Sequence, residues 1–121
     1  DIEKNLEYVK NLRDRLVNKL EQIDGVEINS KKENLPYIVN FSAVGIPSQP
    51  MINYLSEREI YVSGGSACAK GHRSSTLQAV GFSPERIDSA IRVSLSRYNT
   101  EEEIDILCEN IGNALNELRK V

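Results

Sequence analysis

Residues 37–44 read YIVNFSAV, and this stretch decides the fold class. β-Branched and aromatic residues dominate it, as suits a half-buried pleated surface, so it predicts a strand. Gly45-Ile46-Pro47 breaks the strand. A second stretch, Ile91–Leu95 (IRVSL), alternates strictly. Its apolar set Ile91, Val93 and Leu95 falls on one face, and Arg92 and Ser94 fall on the other. Val26–Asn29 and Glu59–Val62 supply two shorter strand candidates.

Helical periodicity flanks these strands. Leu6, Val9, Leu12, Leu16, Leu20 and Ile23 recur at helical spacing over residues 3–23, with charged residues between them. Asp24-Gly25 supplies the stop, since glycine tolerates the left-handed C-cap. Residues 49–57 predict a second helix, with Ser48 as N-cap and Pro50 in the first turn. Ser30–Pro36 reads as a turn and residues 63–75 as a loop. A short helix is expected over Ser75–Val80, ending at Gly81, and another from Ser83-Pro84 to Ser89. Thr100–Glu103 fits a capping box, with three acidic residues at the positive end of the helix dipole. The last helix runs to about Lys120 and buries Ile104, Leu107, Cys108, Ile111, Leu115 and Leu118. The predicted fold is α+β: a small, mostly antiparallel sheet of three to four strands packed by two long terminal helices.

At 121 residues the chain fits one domain, residues 1–121. The net charge of −3 argues against an extended nucleic-acid-binding surface. No apolar run approaches a membrane span, and the opening DIEKNLEYVK lacks the apolar stretch of a signal peptide. The default expectation is a cytoplasmic location, with no membrane. The chain begins at Asp1, already inside a helical pattern, which reads as a fragment or processed product. Two cysteines in dissimilar contexts make no disulfide framework, and no Cys/His spacing suits a metal.

Four residues invite a chemical reading. Cys68 sits in SGGSACAKGHRS, among small neighbours that leave a thiol reachable. Lys70, His72 and Arg73 follow, and cations near sulfur favour the thiolate. The alternative is a small, semi-buried residue at a strand end. Cys108 lies on the apolar stripe of the last helix and reads as core. Arg92, inside a strand of buried residues, suits bidentate recognition of a carboxylate; the alternative is a surface ion pair. His72 is either a proton shuttle beside Cys68 or an exposed loop residue. Arg86 and Arg97 read as surface or inter-domain charges.

Taken together, SGGSACAKG and AIRVSLSRYNTEEEID resemble the C-terminal region of cysteine desulfurases, members of the class V aminotransferase-like family of pyridoxal-phosphate enzymes. Those enzymes carry a G-S-A-C loop, an I-R-x-S-L-G-R strand and a Thr-Glu-Glu-Glu helix start. The resemblance implies the small domain of a two-domain enzyme. It implies transfer of sulfur from L-cysteine to an enzyme cysteine as a persulfide, releasing alanine. Cys68 falls on the catalytic cysteine and Arg92 on the substrate-carboxylate arginine. Pyridoxal 5'-phosphate is implied in the full-length enzyme, held by a lysine outside this chain. None is expected on the 121 residues alone, which are expected to be inactive. The implied partners are a sulfur acceptor, such as an iron–sulfur scaffold or a tRNA-thiolation protein, and a second copy in a homodimer. A stand-alone persulfide carrier or interaction module is the rival expectation.

Overall fold

The computed structural model describes residues 2–30, 37–64 and 81–118. The elements run α1 (Ile2–Glu21), β1 (Val26–Ile28), β2 (Ile38–Ala43), α2 (Ser48–Ser56), β3 (Ser63–Gly64), α3 (Pro84–Asp88), β4 (Ala90–Ser94) and α4 (Glu101–Leu118). The turn over 31–36, the loop over 65–75 and the helix over 75–80 lie outside the described residues.

The strands form one antiparallel sheet in the order β1-β2-β4-β3. Register follows from the buried face. Val39 pairs Val93 and Phe41 pairs Ile91, and all four are buried. A one-residue slip would turn this set to the opposite face, so burial enforces the alignment. Against it pack α1 and α2, and α4 packs on those two helices. Leu12, Leu16 and Leu20 of α1 and Ile104, Ile111 and Leu115 of α4 join the same core. The α+β expectation holds in strand number, strand direction and the two long terminal helices.

The capping box forms as read: Thr100 N donates to Glu103 Oε1 at 2.8 Å, and Glu103 N to Thr100 Oγ1 at 3.2 Å. Gly25, Gly45 and Gly81 take positive φ at the predicted breaks.

Several expectations are corrected. α1 stops at Glu21, two residues early, and Leu6 is 41% exposed instead of buried. Ser48 is the first residue of α2, preceded by Pro47, and makes no side-chain cap. The strand expected at Glu59–Val62 does not form. Ile60 N instead donates to Leu55 O at 2.9 Å and Glu59 N to Ser56 O at 3.0 Å, closing the end of α2. Strand pairing begins only at Ser63. Those two residues, expected in the loop, are thus the third strand.

The short helix α3 covers part of the other face of the sheet. Ser83 caps it, accepting from Arg86 N at 3.2 Å. Ile87, Ala90 and Phe82 make a small second core there.

Candidate functional site

The face of the sheet away from the long helices carries polar residues. Asn40 of β2 pairs Arg92 of β4, and Arg92 pairs Ser63 of β3. Directly opposed residues share a face, so Asn40, Arg92 and Ser63 form one row across three strands. Arg92 is exposed, between buried Ile91 and Val93. Among the described residues, no hydrogen bond or ion pair is recorded for its side chain. Its guanidinium therefore presents a planar fork of donors, suited to a carboxylate.

Beside this row lies a connected set of hydrogen bonds. Asn29 Nδ2 donates to Asn40 Oδ1 at 2.9 Å and to Ser42 Oγ at 2.8 Å. Ser42 Oγ donates to Arg86 O at 2.5 Å. Arg86 Nε reaches Asn29 Oδ1 at 2.8 Å, and its Nη2 reaches Ile28 O at 2.9 Å. The Arg86 guanidinium also stacks on Phe82, 3.7 Å from the ring centroid. Arg86 is thus no loose surface charge: it pins α3 to β1 and the polar face. Sequence reading passed over Asn29 and Asn40. The available signal was an asparagine amid strand formers, a residue that strands disfavour.

Cys68, Lys70, His72 and Arg73 lie outside the described residues. Cys108 is buried against α1, as its spacing predicts, and burial pushes its thiol up to about 11. Arg97 is exposed and bonds Tyr98 Oη at 2.6 Å. Glu101–Glu103 serve the start of α4. No cluster of His, Cys, Asp and Glu among the described residues suits a metal ion. No helix among them is long and apolar enough to cross a membrane.

The polar row offers an anion-binding arginine but no amine for an aldehyde cofactor. The described lysines, Lys4, Lys10 and Lys19, are all on α1, which packs on the other side of the sheet. The described residues therefore do not fit pyridoxal phosphate as its covalent anchor.

Residues 1–107 match the model of the family described as Aminotransferase class-V. The chain belongs to that family. Within it, the chain is 36% identical to the cysteine desulfurase IscS of Buchnera aphidicola subsp. Baizongia pistaciae, over 99% of this chain and 30% of that protein. To the cysteine desulfurase IscS of Pasteurella multocida it is 39% identical, over 93% of this chain and 28% of that protein. A solved NifS-like protein from Rickettsia africae superposes with a TM-score of 0.80 at 26% identity, over 93% of this chain and 29% of that one. The chain thus spans about 30% of the length of the curated relatives it matches.

Proposed function

We propose that these 121 residues are the small, C-terminal domain of a two-domain, pyridoxal-phosphate-dependent cysteine desulfurase. In this reading Arg92 binds the carboxylate of L-cysteine, and Cys68 accepts its sulfur as a persulfide while alanine leaves. The cofactor supplies the electron sink when bound, and the residues that anchor it lie elsewhere in the enzyme. The protein acts in the cytoplasm, as a homodimer, and passes the persulfide sulfur to an acceptor protein such as an iron–sulfur scaffold.

The observation that carries this reading is Arg92 itself. It stands exposed in the middle of the polar row, with its fork of donors committed to no side chain among the described residues. The placement of Cys68 in the sequence supports the pairing. Gly64 pairs Ile91, the neighbour of Arg92, and Cys68 follows Gly64 by four residues, a length of chain that spans at most about 14 Å. The names of the relatives supply the reaction class.

The test uses the full-length enzyme loaded with pyridoxal phosphate. With L-cysteine, alanine should form, and protein-bound persulfide should be lost in Cys68→Ala. Arg92→Ala should raise KM for L-cysteine about tenfold or more, as expected when a hydrogen-bonded charged group goes unpaired. An unchanged KM would overturn the clamp and favour a carrier that receives its sulfur from another protein. Persulfide retained in Cys68→Ala would overturn the acceptor role.

A further inference from the structure

Arg92 stands between two unlike neighbours on the polar face. On the β2 side is Asn40, whose N–H donates to Ser30 Oγ at 3.2 Å and whose Oδ1 accepts from Asn29 Nδ2 at 2.9 Å. Behind it the hydrogen bonds run on to Ser42 and Arg86, and α3 lies over β2. A ligand on that side would have to displace bonds already made, which offsets the binding it gains. On the other side is Ser63. β3 is an edge strand, so the sheet ends beyond it. Ser63 is exposed, and no hydrogen bond of its hydroxyl is recorded among the described residues. The open ground beside Arg92 therefore lies over β3.

The ladder fixes how Ser63 meets Arg92. Leu95 N donates to Tyr37 O at 2.6 Å, one residue beyond the Ile38–Ser94 pair. Backbone N–H and C=O groups alternate sides along a strand. Ile91, Val93 and Leu95 thus turn theirs to β2. Arg92 turns its own to β3, where Ser63 is its hydrogen-bonded partner. Cα atoms of such a pair are about 5.5 Å apart, and both side chains rise from the same face. The two side chains differ in reach. A serine hydroxyl stays close to the sheet, whereas an unpaired arginine carries its fork well above it.

We propose that Ser63 is a second ligand for the substrate carboxylate, donating from Oγ to the anion that Arg92 binds. Arg92 leans over β3, and the carboxylate lies between its fork and the hydroxyl. This rests on the reading of Arg92 as the carboxylate clamp. An ionised carboxylate has about four lone-pair sites, so an arginine fork leaves room for a further donor. A hydroxyl proton rotates to suit its acceptor, so Ser63 needs no other residue to orient it. The arrangement also sets the substrate on the side from which the chain runs to Cys68. Cys68 follows Ser63 by five residues, a length of chain that spans at most about 18 Å.

The experiment measures KM and kcat for L-cysteine in the full-length, cofactor-loaded enzyme, with thermal unfolding and the inhibition constant of cysteamine alongside. Cysteamine is L-cysteine without its carboxylate, so it does not sense a carboxylate ligand. Ser63→Ala should raise KM about tenfold or more, with a smaller effect on kcat, while the cysteamine constant holds. Ser63→Thr and Ser63→Val isolate the hydroxyl. Both side chains are β-branched and suit a strand, and only threonine has a donor. KM should be about tenfold or more higher in Ser63→Val than in Ser63→Thr. The unfolding temperature should hold in all three, because Ser63 is exposed at the sheet edge.

Unchanged KM in Ser63→Ala overturns the proposal. So does a cysteamine constant that rises in step with KM, because the residue would then shape the site without touching the carboxylate. Equal KM in Ser63→Val and Ser63→Thr overturns it as well. Should Ser63→Val fail to fold, Ser63→Ala decides alone. Arg92→Ala, run in parallel, tells which reading failed. If it raises KM and the Ser63 variants do not, this inference alone falls. If it too leaves KM unchanged, the clamp falls with it.

Discussion

Arg15 of α1 and Asp105 of α4 meet in a two-point contact, Nε to Oδ1 at 2.9 Å and Nη2 to Oδ2 at 2.8 Å. Lys19 Nζ adds a third cation contact at 3.2 Å to Oδ1. The Arg15 hydrogen bonds, aided by Lys19 and opposed by partial desolvation, hold the Asp105 carboxyl down to about 2. An unfolded aspartate titrates near ~3.9. The folded state therefore favours the ionised form. The contribution is complete above about pH 4 and is lost as pH falls through about 2. Asp105→Asn removes it. The difference in unfolding free energy between the two proteins should be constant from neutral pH to about 5, then shrink toward about pH 2. A difference that persists undiminished at pH 2 would contradict the assignment. The pair is more than a third exposed on each side, so added salt should shrink the difference as well.

Cys108 and Cys68 should separate cleanly by reactivity. Cys108 is 7% exposed, and burial outweighs the cation of Lys19 in pushing its thiol up to about 11. At pH 8 the thiolate fraction alone makes it about a hundredfold slower than a free thiol. Iodoacetamide labelling of the native protein, followed by peptide mass spectrometry, should leave Cys108 unmodified while Cys68 reacts. Denaturation should make the two alike. A raised folded pKa also fixes the pH dependence. The stability from burying the neutral thiol is present below about 8.5 and is lost as pH rises through about 11. Labelling of Cys108 at the rate of a model thiol would show that the helix pair opens readily.

Arg92 and Phe41 occupy opposite faces of the sheet, and their substitutions should divide function from stability. Phe41 is fully buried, so Phe41→Ala should cost about 3–5 kcal/mol. Arg92→Ala removes an exposed side chain and should change stability by less than about 1 kcal/mol, chiefly through strand propensity. Urea unfolding measures both. A large loss in Arg92→Ala would mean that the arginine holds structure, and the KM test above would lose its meaning.

Wherever one physical signal acted alone, the sequence was legible. IRVSL alternates because β4 buries one face, and the buried partners in β2 then fix the register. The capping box is local chemistry, complete within Thr100–Glu103. Leu6 misled because periodicity cannot tell where the partner surface ends. It lies a turn of helix before Val9, the first buried residue of α1. Arg86 misled for a different reason. Its partners Ile28 and Asn29 lie more than fifty residues away in sequence, and no local pattern carries that information. Asn40 was visible as a strand residue. Its bond to Asn29 depended on which strand lies beside β2, a property of topology and not of spacing.

The end of α2 supplies a last prediction. Glu59 has φ of 62°, the one positive value recorded for a described residue other than glycine. Its N–H bonds Ser56 O while the next residue, Ile60, bonds Leu55 O. These are the two bonds of a Schellman turn, with Glu59 at the position that glycine usually takes. Ile60 packs against the main core, which supplies the apolar contact typical of the motif and keeps the chain in this path. A side chain with a Cβ is strained in the left-handed region, by roughly 1–2 kcal/mol per residue. Glycine relieves that strain but frees the unfolded chain, an opposing effect of about 0.4–1 kcal/mol. Glu59→Gly should therefore raise stability by up to ~1 kcal/mol, and Glu59→Asn by less. Glu59→Val should lower it, because a β-branched side chain tolerates this region least. Thermal unfolding of the three variants orders them. Valine ranking at or above glycine would mean that the helix ends by another route.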